Sequence, residues 1–415
     1  MADVLIIGAG IVGLSAAYYL HNQGHHIVVL DKSDIQDNCS FGNAGMIVPS
    51  HFVPLAAPGM IRQGIRWMLN SKSPFYVKPS LNRDLIGWGL KFISHANDAH
   101  VAKCAEPLRD LALLSRGLYQ ELAKEPGLDF DLVNNGILAF YKTEKAAEEE
   151  AHLAKRGREL GLDMIELNPA ECKALQPKVE LDVLGAVHYK CDAHLNPAKL
   201  MLSLLSFLEK NGVQIVRNHE VTAIETRAGK VCSVSTGKKN WQADHYVLAT
   251  GSYSPAVARM ANIKLSIMPG KGYSFMEEEP EGRMKIPALL CEARVAITPM
   301  NGQIRYGGTM ELTAMNPKIN LKRVQGIIES VPNYLTNLKP ATPSAAKTWY
   351  GFRPASPDGM PYIGRSRQLS NLMIATGHGM MGLGLGPATG LLLCQIISES
   401  ETDIDISSFS PDRFS

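Results

Sequence analysis

The first 31 residues constrain this chain more than any other stretch. Val4 to Ile7 is a short apolar run that ends at Gly8-Ala9-Gly10-Ile11-Val12-Gly13; a helical pattern follows, then a second apolar run, Ile27 to Leu30, closing on Asp31. Strand, glycine turn, helix, strand and acid in that order open a parallel α/β unit that binds a dinucleotide. Gly8 makes the tight turn, Gly10 lets a pyrophosphate approach the backbone, and Gly13 lets the helix pack close to the strand. The helix start, with Ile11 and Val12 in its first turn, offers free N–H groups and partial positive charge to the phosphates. Asp31 lies 18 residues beyond Gly13, where an acid accepts a hydrogen bond from a ribose 2′-OH, which favours FAD or NAD over a 2′-phosphorylated cofactor.

At 415 residues the chain exceeds what one core ordinarily serves, so two domains are expected. The net charge of +2 is not gathered into a basic run, and no nucleic-acid partner is expected. The seven cysteines are scattered and never spaced as CxxC, which suits a reduced, cytoplasmic setting. There is no basic leader before the first strand and no stretch of 18 apolar residues to span a membrane. Metal-site spacings, a Walker A sequence, HExxH and GxSxG are absent, so no metal is expected.

After Asp31 and Lys32 the sequence Ser40-Phe41-Gly42-Asn43-Ala44-Gly45-Met46 places small residues where backbone can lie against a flat ring; an ordinary surface loop reads the same way. Residues 60–122 are largely helical in pattern. Within them the 60–95 tract, with Trp67, Phe75, Tyr76, Trp88 and Phe92 among basic residues, suits helix packing first and a peripheral membrane contact second. Residues 129–142 read as strand and 146–160 as an exposed helix. Asn196 is an N-cap followed by Pro197 at the first helical position, with Gly212 just past the end. Short strands follow, one including Val221, and Tyr246 to Ala249 returns the chain to the parallel sheet, ending in Thr250-Gly251 against the cofactor. Residues 263–348 alternate apolar and polar positions as an antiparallel sheet does.

Gly351-Phe352-Arg353-Pro354-Ala355-Ser356-Pro357-Asp358-Gly359-Met360-Pro361 is so rich in proline that no regular structure is expected there. An arginine in a stiff, apolar-flanked stretch is oriented for a bidentate carboxylate contact, or else holds a turn. Gly377 to Pro387 then carries five glycines ahead of a helix expected from Ala388, a second backbone cradle with positive potential. His378 and Met381 are read as packing near the cofactor rather than as catalysts.

With these pieces in place the chain resembles, over nearly its whole length, the amine-oxidising flavoenzymes of the D-amino-acid oxidase and glycine oxidase superfamily, most of all the bacterial D-amino-acid dehydrogenases of small-subunit type. The resemblance rests on the N-terminal fingerprint, Ser40 to Gly45, Gly351-Phe352-Arg353-Pro354 with Pro361-Tyr362-Ile363-Gly364, and the closing glycine run. It implies an α/β fold: a discontinuous Rossmann-like FAD-binding domain of glutathione-reductase type over residues 1–127, 195–262 and 349–415, and an antiparallel-sheet substrate domain over 128–194 and 263–348. It implies non-covalent FAD, with Gly8 to Gly13 at the pyrophosphate, Asp31 and Lys32 at the adenosine ribose, Ser40, Asn43, Ala44, Gly45 and Met46 along the ribityl chain and ring, and the Val221 backbone at the adenine. Gly379, Met380, Met381, Gly382 and Leu383 would meet the ring edge. Arg353 would hold a substrate carboxylate, with Tyr273 and Tyr306 as further catalytic-site contacts.

The activity so implied is oxidative deamination of D-amino acids to 2-oxo acids and ammonia, by hydride transfer to flavin N5, with a quinone or partner flavoprotein taking the electrons. The implied location is the cytoplasm or the inner face of the plasma membrane. Alternatives are a D-hydroxyproline dehydrogenase, a glycine- or sarcosine-type oxidase and, from another class, a non-catalytic FAD-holding subunit.

Overall fold

The opening apolar run becomes a strand, Asp3–Ile7, paired in parallel on both sides, with Ile7 opposite Leu30 of His26–Leu30 and opposite Leu248 of His245–Leu248. It is buried at four of five positions, as a strand covered on both faces must be. The computed structural model describes residues 1–36, 38–62, 64, 73–77, 82–279 and 281–414. Among them the first sheet runs Tyr362–Arg365, Leu372–Thr376, His245–Leu248, Asp3–Ile7, His26–Leu30, Gln214–Val216, parallel except for its first pair. The helices Ile11–Asn22, Asp98–Leu122, Pro197–Lys210 and Gly382–Ile397 contribute to the largest apolar core, beside this sheet. The helix after Asn196 starts as its sequence requires: the Asn196 side chain accepts from the N–H groups of Ala198 and Lys199, and Gly212 takes φ +87° beyond its end.

The second sheet has nine strands, mostly antiparallel: Trp349–Ala355, Met268–Glu278, Gln303–Leu312, Val295–Met300, Ala288–Leu290, Ile137–Tyr141, Gly185–Tyr189 and Met164–Leu167, with Phe75–Val77 paired to Gln303–Leu312. Among the described residues the molecule is therefore a mixed α/β protein whose two largest sheets are one mainly parallel and one largely antiparallel, beside a three-stranded and a two-stranded sheet.

Two expectations are corrected here. The Arg353 stretch is a regular strand from Trp349 to Ala355, paired from Met268↔Ala355 to Ser274↔Trp349. Pro354 is tolerated because this strand is at the sheet's edge, where a missing N–H need break no ladder. The closing helix starts at Gly382 rather than Ala388, and Pro387 lies inside it. Proline cannot donate to the carbonyl four residues back, Leu383 O. That carbonyl accepts instead from the buried Tyr119 hydroxyl at 2.6 Å. Glycines of this helix also admit the first helix at close range: a Cβ on Gly390 would stand 2.5 Å from the Ser15 carbonyl carbon, and one on Gly386 2.7 Å from Ile11 Cγ1.

Candidate cofactor and substrate site

The three glycines of the opening turn meet different surroundings. Gly8 has φ +107°, and a Cβ there would fall 2.5 Å from Ala249 O; a Cβ on Gly13 would fall 1.9 Å from Gly8 O. Both are required by protein packing alone. Gly10 is otherwise: its backbone is ordinary, φ −75°, and the nearest atom to a Cβ is Ser40 Oγ at 3.7 Å. The space above Gly10 is open, and Gly10 caps the helix without a side chain. Ser40 Oγ accepts from the first helical N–H, that of Ile11, at 3.0 Å.

Asp31 is tied to this turn. Its Oδ2 accepts from Ala9 N and its Oδ1 from Ser33 N and Oγ, all at 2.8 Å, which leaves a second lone pair on Oδ2 for a hydroxyl. His219 N and Asn218 N donate to Asp31 O and Ser33 O, holding the segment before buried Val221 against the acid. Lys32 Nζ lies 3.3 Å from the Tyr253 ring centroid, beside Thr250 and Gly251, the latter at φ +55°.

The loop from Asn38 to Met46 is held from several directions. Asn38 Nδ2 donates to Ala9 O at 3.1 Å, Asn43 Nδ2 to Met380 O at 3.3 Å, and Leu195 N to Gly45 O at 2.8 Å. From the second sheet, Ser274 Oγ donates to Gly42 O at 2.9 Å, and Arg305 Nη1 to Phe41 O and Asn43 O at 2.8 and 2.5 Å. Arg305 and Ser274 were missed in the sequence. The available signal was a cation, Arg305, next to Ile304 and Tyr306 in an alternating strand; burial lowers its pKa to about 10 and leaves it charged at neutral pH. Met46 pairs with His194 and lies near the closing helix, where a Cβ on Gly384 would be 3.4 Å from Met46 O.

Arg353 stands on the same side as this loop. Gly272 and Ser274 share one face of their strand by the two-residue period. Ser274 reaches Gly42, and a Cβ on Gly272 would enter the Arg353 guanidinium, 2.1 Å from Nη1. Trp349, four residues from Arg353 on the same face, lies against Gly42 and Gly351. Arg353 Nη1 donates to Thr309 O, and its remaining donors meet no acceptor among the described residues. No carboxylate among those residues pairs with it, and burial lowers its pKa to about 10.

Tyr273 and Tyr306 are not brought to this face, which corrects their reading as substrate contacts. Tyr306 alternates with Arg305 and stacks on Phe275 at 5.2 Å in the core of the second sheet. Tyr273 alternates with Gly272, is 1% exposed and donates its hydroxyl to Glu311 Oε2 at 3.0 Å. Strand parity puts both rings on the side opposite Arg353. His378 is likewise engaged: its Nε2–H donates to Thr389 Oγ1 at 2.9 Å, because the Thr389 hydroxyl is itself given to Leu385 O. Burial lowers the His378 pKa to about 3, so it is neutral and structural. Met381 packs partly buried against the main core.

Of two surface cavities, one of about 520 Å³ is lined by Tyr76, Glu311 and Asn320, and one of about 430 Å³, lined by Asp131, His194 and Lys285, borders the end of the 38–46 loop through His194 and Leu195. The chemistry gathers instead around the open face of Gly10, the 38–46 loop, Met380 and Arg353. The donor set fits a dinucleotide carrying a flat ring: a helix start whose N-cap glycine has no side chain, an acid with a spare lone pair, and a small-residue loop pinned through its carbonyls.

Comparison with known proteins agrees. Residues 3–396 match the family model described as FAD dependent oxidoreductase. A D-amino acid dehydrogenase of Helicobacter pylori is 32% identical over 411 residues, 98% of each chain, and one of Granulibacter bethesdensis is 30% identical over 417 residues, 99% of each chain. Among solved structures, glycine oxidase from Geobacillus kaustophilus superposes with a TM-score of 0.80 at 22% identity, covering 100% of this chain and 99% of the other. L-proline dehydrogenase from P. horikoshii gives 0.76 at 18%, covering 100% and 97%.

Proposed function

Because this chain belongs to the FAD-dependent oxidoreductase family, we propose that it oxidises the α-carbon–nitrogen bond of a D-amino acid, yielding a 2-oxo acid and ammonia after hydrolysis of the imino acid. The observation that carries the substrate class is Arg353: a partly buried guanidinium with one backbone acceptor and no acidic partner among the described residues, on the face of the sheet turned to the 38–46 loop. A planar cation left in that state matches a carboxylate in charge and shape. Bound FAD supplies the two-electron acceptor. The chain supplies position. Arg353 fixes the carboxylate and hence which C–H is presented, while Arg305 and Ser274 hold the loop carbonyls in place. No side-chain base is needed when the amine binds neutral.

In this reading residues 1–127, 195–262 and 349–415 hold the cofactor and 128–194 and 263–348 the substrate, with strands Phe75–Val77 and Trp349–Ala355 lent to the substrate sheet. Anaerobic mixing with a D-amino acid should bleach the flavin absorbance, and the L enantiomer should not. Turnover with a dye but not with dioxygen then marks a dehydrogenase. Equal bleaching by both enantiomers would overturn the D-specific assignment.

The electron acceptor in this proposal is a quinone reached by peripheral contact with the inner face of the plasma membrane. A partner flavoprotein is the alternative acceptor. No helix among the described residues is long and apolar enough to cross a bilayer. The helix Arg83–His95 turns Trp88 inward, its Nε1 donating to Ala355 O at 2.9 Å, and leaves Ile86, Leu90 and Ile93 at 49, 65 and 55% exposure on its outer side. Residues 60–95 contain Arg62, Arg66, Lys72, Lys78, Arg83 and Lys91 against the single acid Asp84, a balance suited to anionic lipid; Trp67 lies outside the described residues. Leu90→Asp should abolish co-flotation with anionic vesicles and quinone reduction while sparing dye reduction. Unchanged quinone reduction would rule this surface out.

A further inference from the structure

The strand Gln303–Leu312 is regular against Val295–Met300 as far as Gly308, but its other ladder slips. Lys271 faces Glu311 and Tyr273 faces Gly308, so the one residue Gly272 stands opposite two, Thr309 and Met310. That is a β-bulge, and Thr309 occupies it with φ +62°. The left-handed residue of such a bulge is ordinarily glycine, and a β-branched residue there is a conformational outlier. Thr309 bears a second cost as well. It is 8% exposed, and its Oγ1 is buried with no hydrogen-bond partner among the described residues. Glycine would remove both defects at once.

The position of the bulge gives them a purpose. Its Gly272 arm is the seat on which the Arg353 guanidinium lies, and the Thr309 carbonyl accepts from Arg353 Nη1. A residue held in strain, with a buried polar atom unpaired, beside a cation with unused donors, has the pattern of a site whose missing partner is a ligand. We propose that Thr309 is a substrate-binding residue: its carbonyl orients Arg353, and its Oγ1–H donates to the carboxylate that Arg353 holds. The proposal rests on the reading of Arg353 as the carboxylate site. The bulge is what makes both contacts available, because an extra residue in one strand re-aims the backbone at that point.

The test uses three variants of the flavin-loaded protein and two measurements: the melting temperature, and the dissociation constant of the 2-oxo acid product read from perturbation of the flavin spectrum. Thr309→Val keeps the branched shape and removes the hydroxyl. It should weaken product binding and raise KM for the D-amino acid roughly ten- to a hundredfold, the loss expected for one hydrogen bond to a charged group. Thr309→Ser keeps the hydroxyl and should stay within about threefold of the parent. Thr309→Gly should lose affinity as the valine variant does, yet melt a few degrees higher, since glycine takes a positive φ without strain and leaves no orphan hydroxyl. A residue with only a structural role would not lose affinity while gaining stability. Product binding as tight in Thr309→Val as in the parent overturns the proposal, and so does a lower melting temperature in Thr309→Gly, which remains informative if the valine variant fails to fold. Arg353→Met separates the two levels. If it loses product affinity and Thr309→Val does not, only the role of Thr309 falls; if it loses none, the carboxylate reading of Arg353 falls as well.

Discussion

Arg353→Met should lower kcat/KM for a D-amino acid by about 30- to several-thousand-fold while the protein keeps its flavin. The magnitude follows from removing a charge-assisted, paired contact in a partly desolvated site, roughly 2–5 kcal/mol, at about 1.4 kcal/mol per tenfold. Most of that loss is the substrate's own carboxylate left unpaired. Arg353→Lys should recover only a part, since an ammonium lacks the planar fork. The proposed cofactor contacts belong to other segments: among the described residues the guanidinium bonds Thr309 O alone, and the 38–46 loop is held by Arg305 and Ser274. The decisive control is the decarboxylated amine, which has nothing for Arg353 to hold. Equal losses for the amino acid and the amine would remove Arg353 from the carboxylate role and leave a simple amine oxidoreductase.

Gly10→Val should give a protein that folds but purifies with little FAD. At φ −75° and ψ 176° the backbone accepts any side chain, and a Cβ there meets only Ser40 Oγ at 3.7 Å. The branched side chain is therefore expected to fill the space a pyrophosphate needs, and its Cβ has no close protein contact. Flavin absorbance per mole should collapse, and the apo variant should melt within a few degrees of the wild-type apoprotein. The holoprotein of wild type should melt higher than either, because a ligand bound only by the folded state adds to its stability. Gly13→Val makes the contrast: its Cβ would lie 1.9 Å from Gly8 O, so that variant should lose the fold itself. Full, tightly held FAD in Gly10→Val would refute the assignment of the turn.

These two residues show how legibility divides along the chain. Gly10 was readable because its signal is local: a turn, a helix start and an acid all lie within the first 31 residues, although the protein's own packing leaves room for a side chain at Gly10. The same holds for Asn196, whose cap is formed with the next three residues. Arg353 was readable as a residue but not as a strand member. Its proline-rich stretch is extended because an edge position in the second sheet tolerates Pro354, and no local pattern reports the edge of a sheet. The start of the closing helix at Gly382 was hidden for a similar reason: Tyr119, far away in sequence, supplies the bond that Pro387 cannot.

The sequence by itself determined the cofactor class and the parallel and antiparallel textures of the two main sheets, and it singled out Arg353, the arginine proposed to meet a carboxylate. Only the tertiary structure decided which way the strands of the second sheet turn their side chains. Alternation states that Tyr306 and Arg305 point oppositely, but not which of them meets the 38–46 loop; that depends on the packing of one sheet against distant segments, and it sent both Tyr273 and Tyr306 into the core. The bulge at Thr309 is the sharpest case. One extra residue resets the register of a strand, and its presence is written in the pairing of Gly272 with two residues rather than in any run of neighbours.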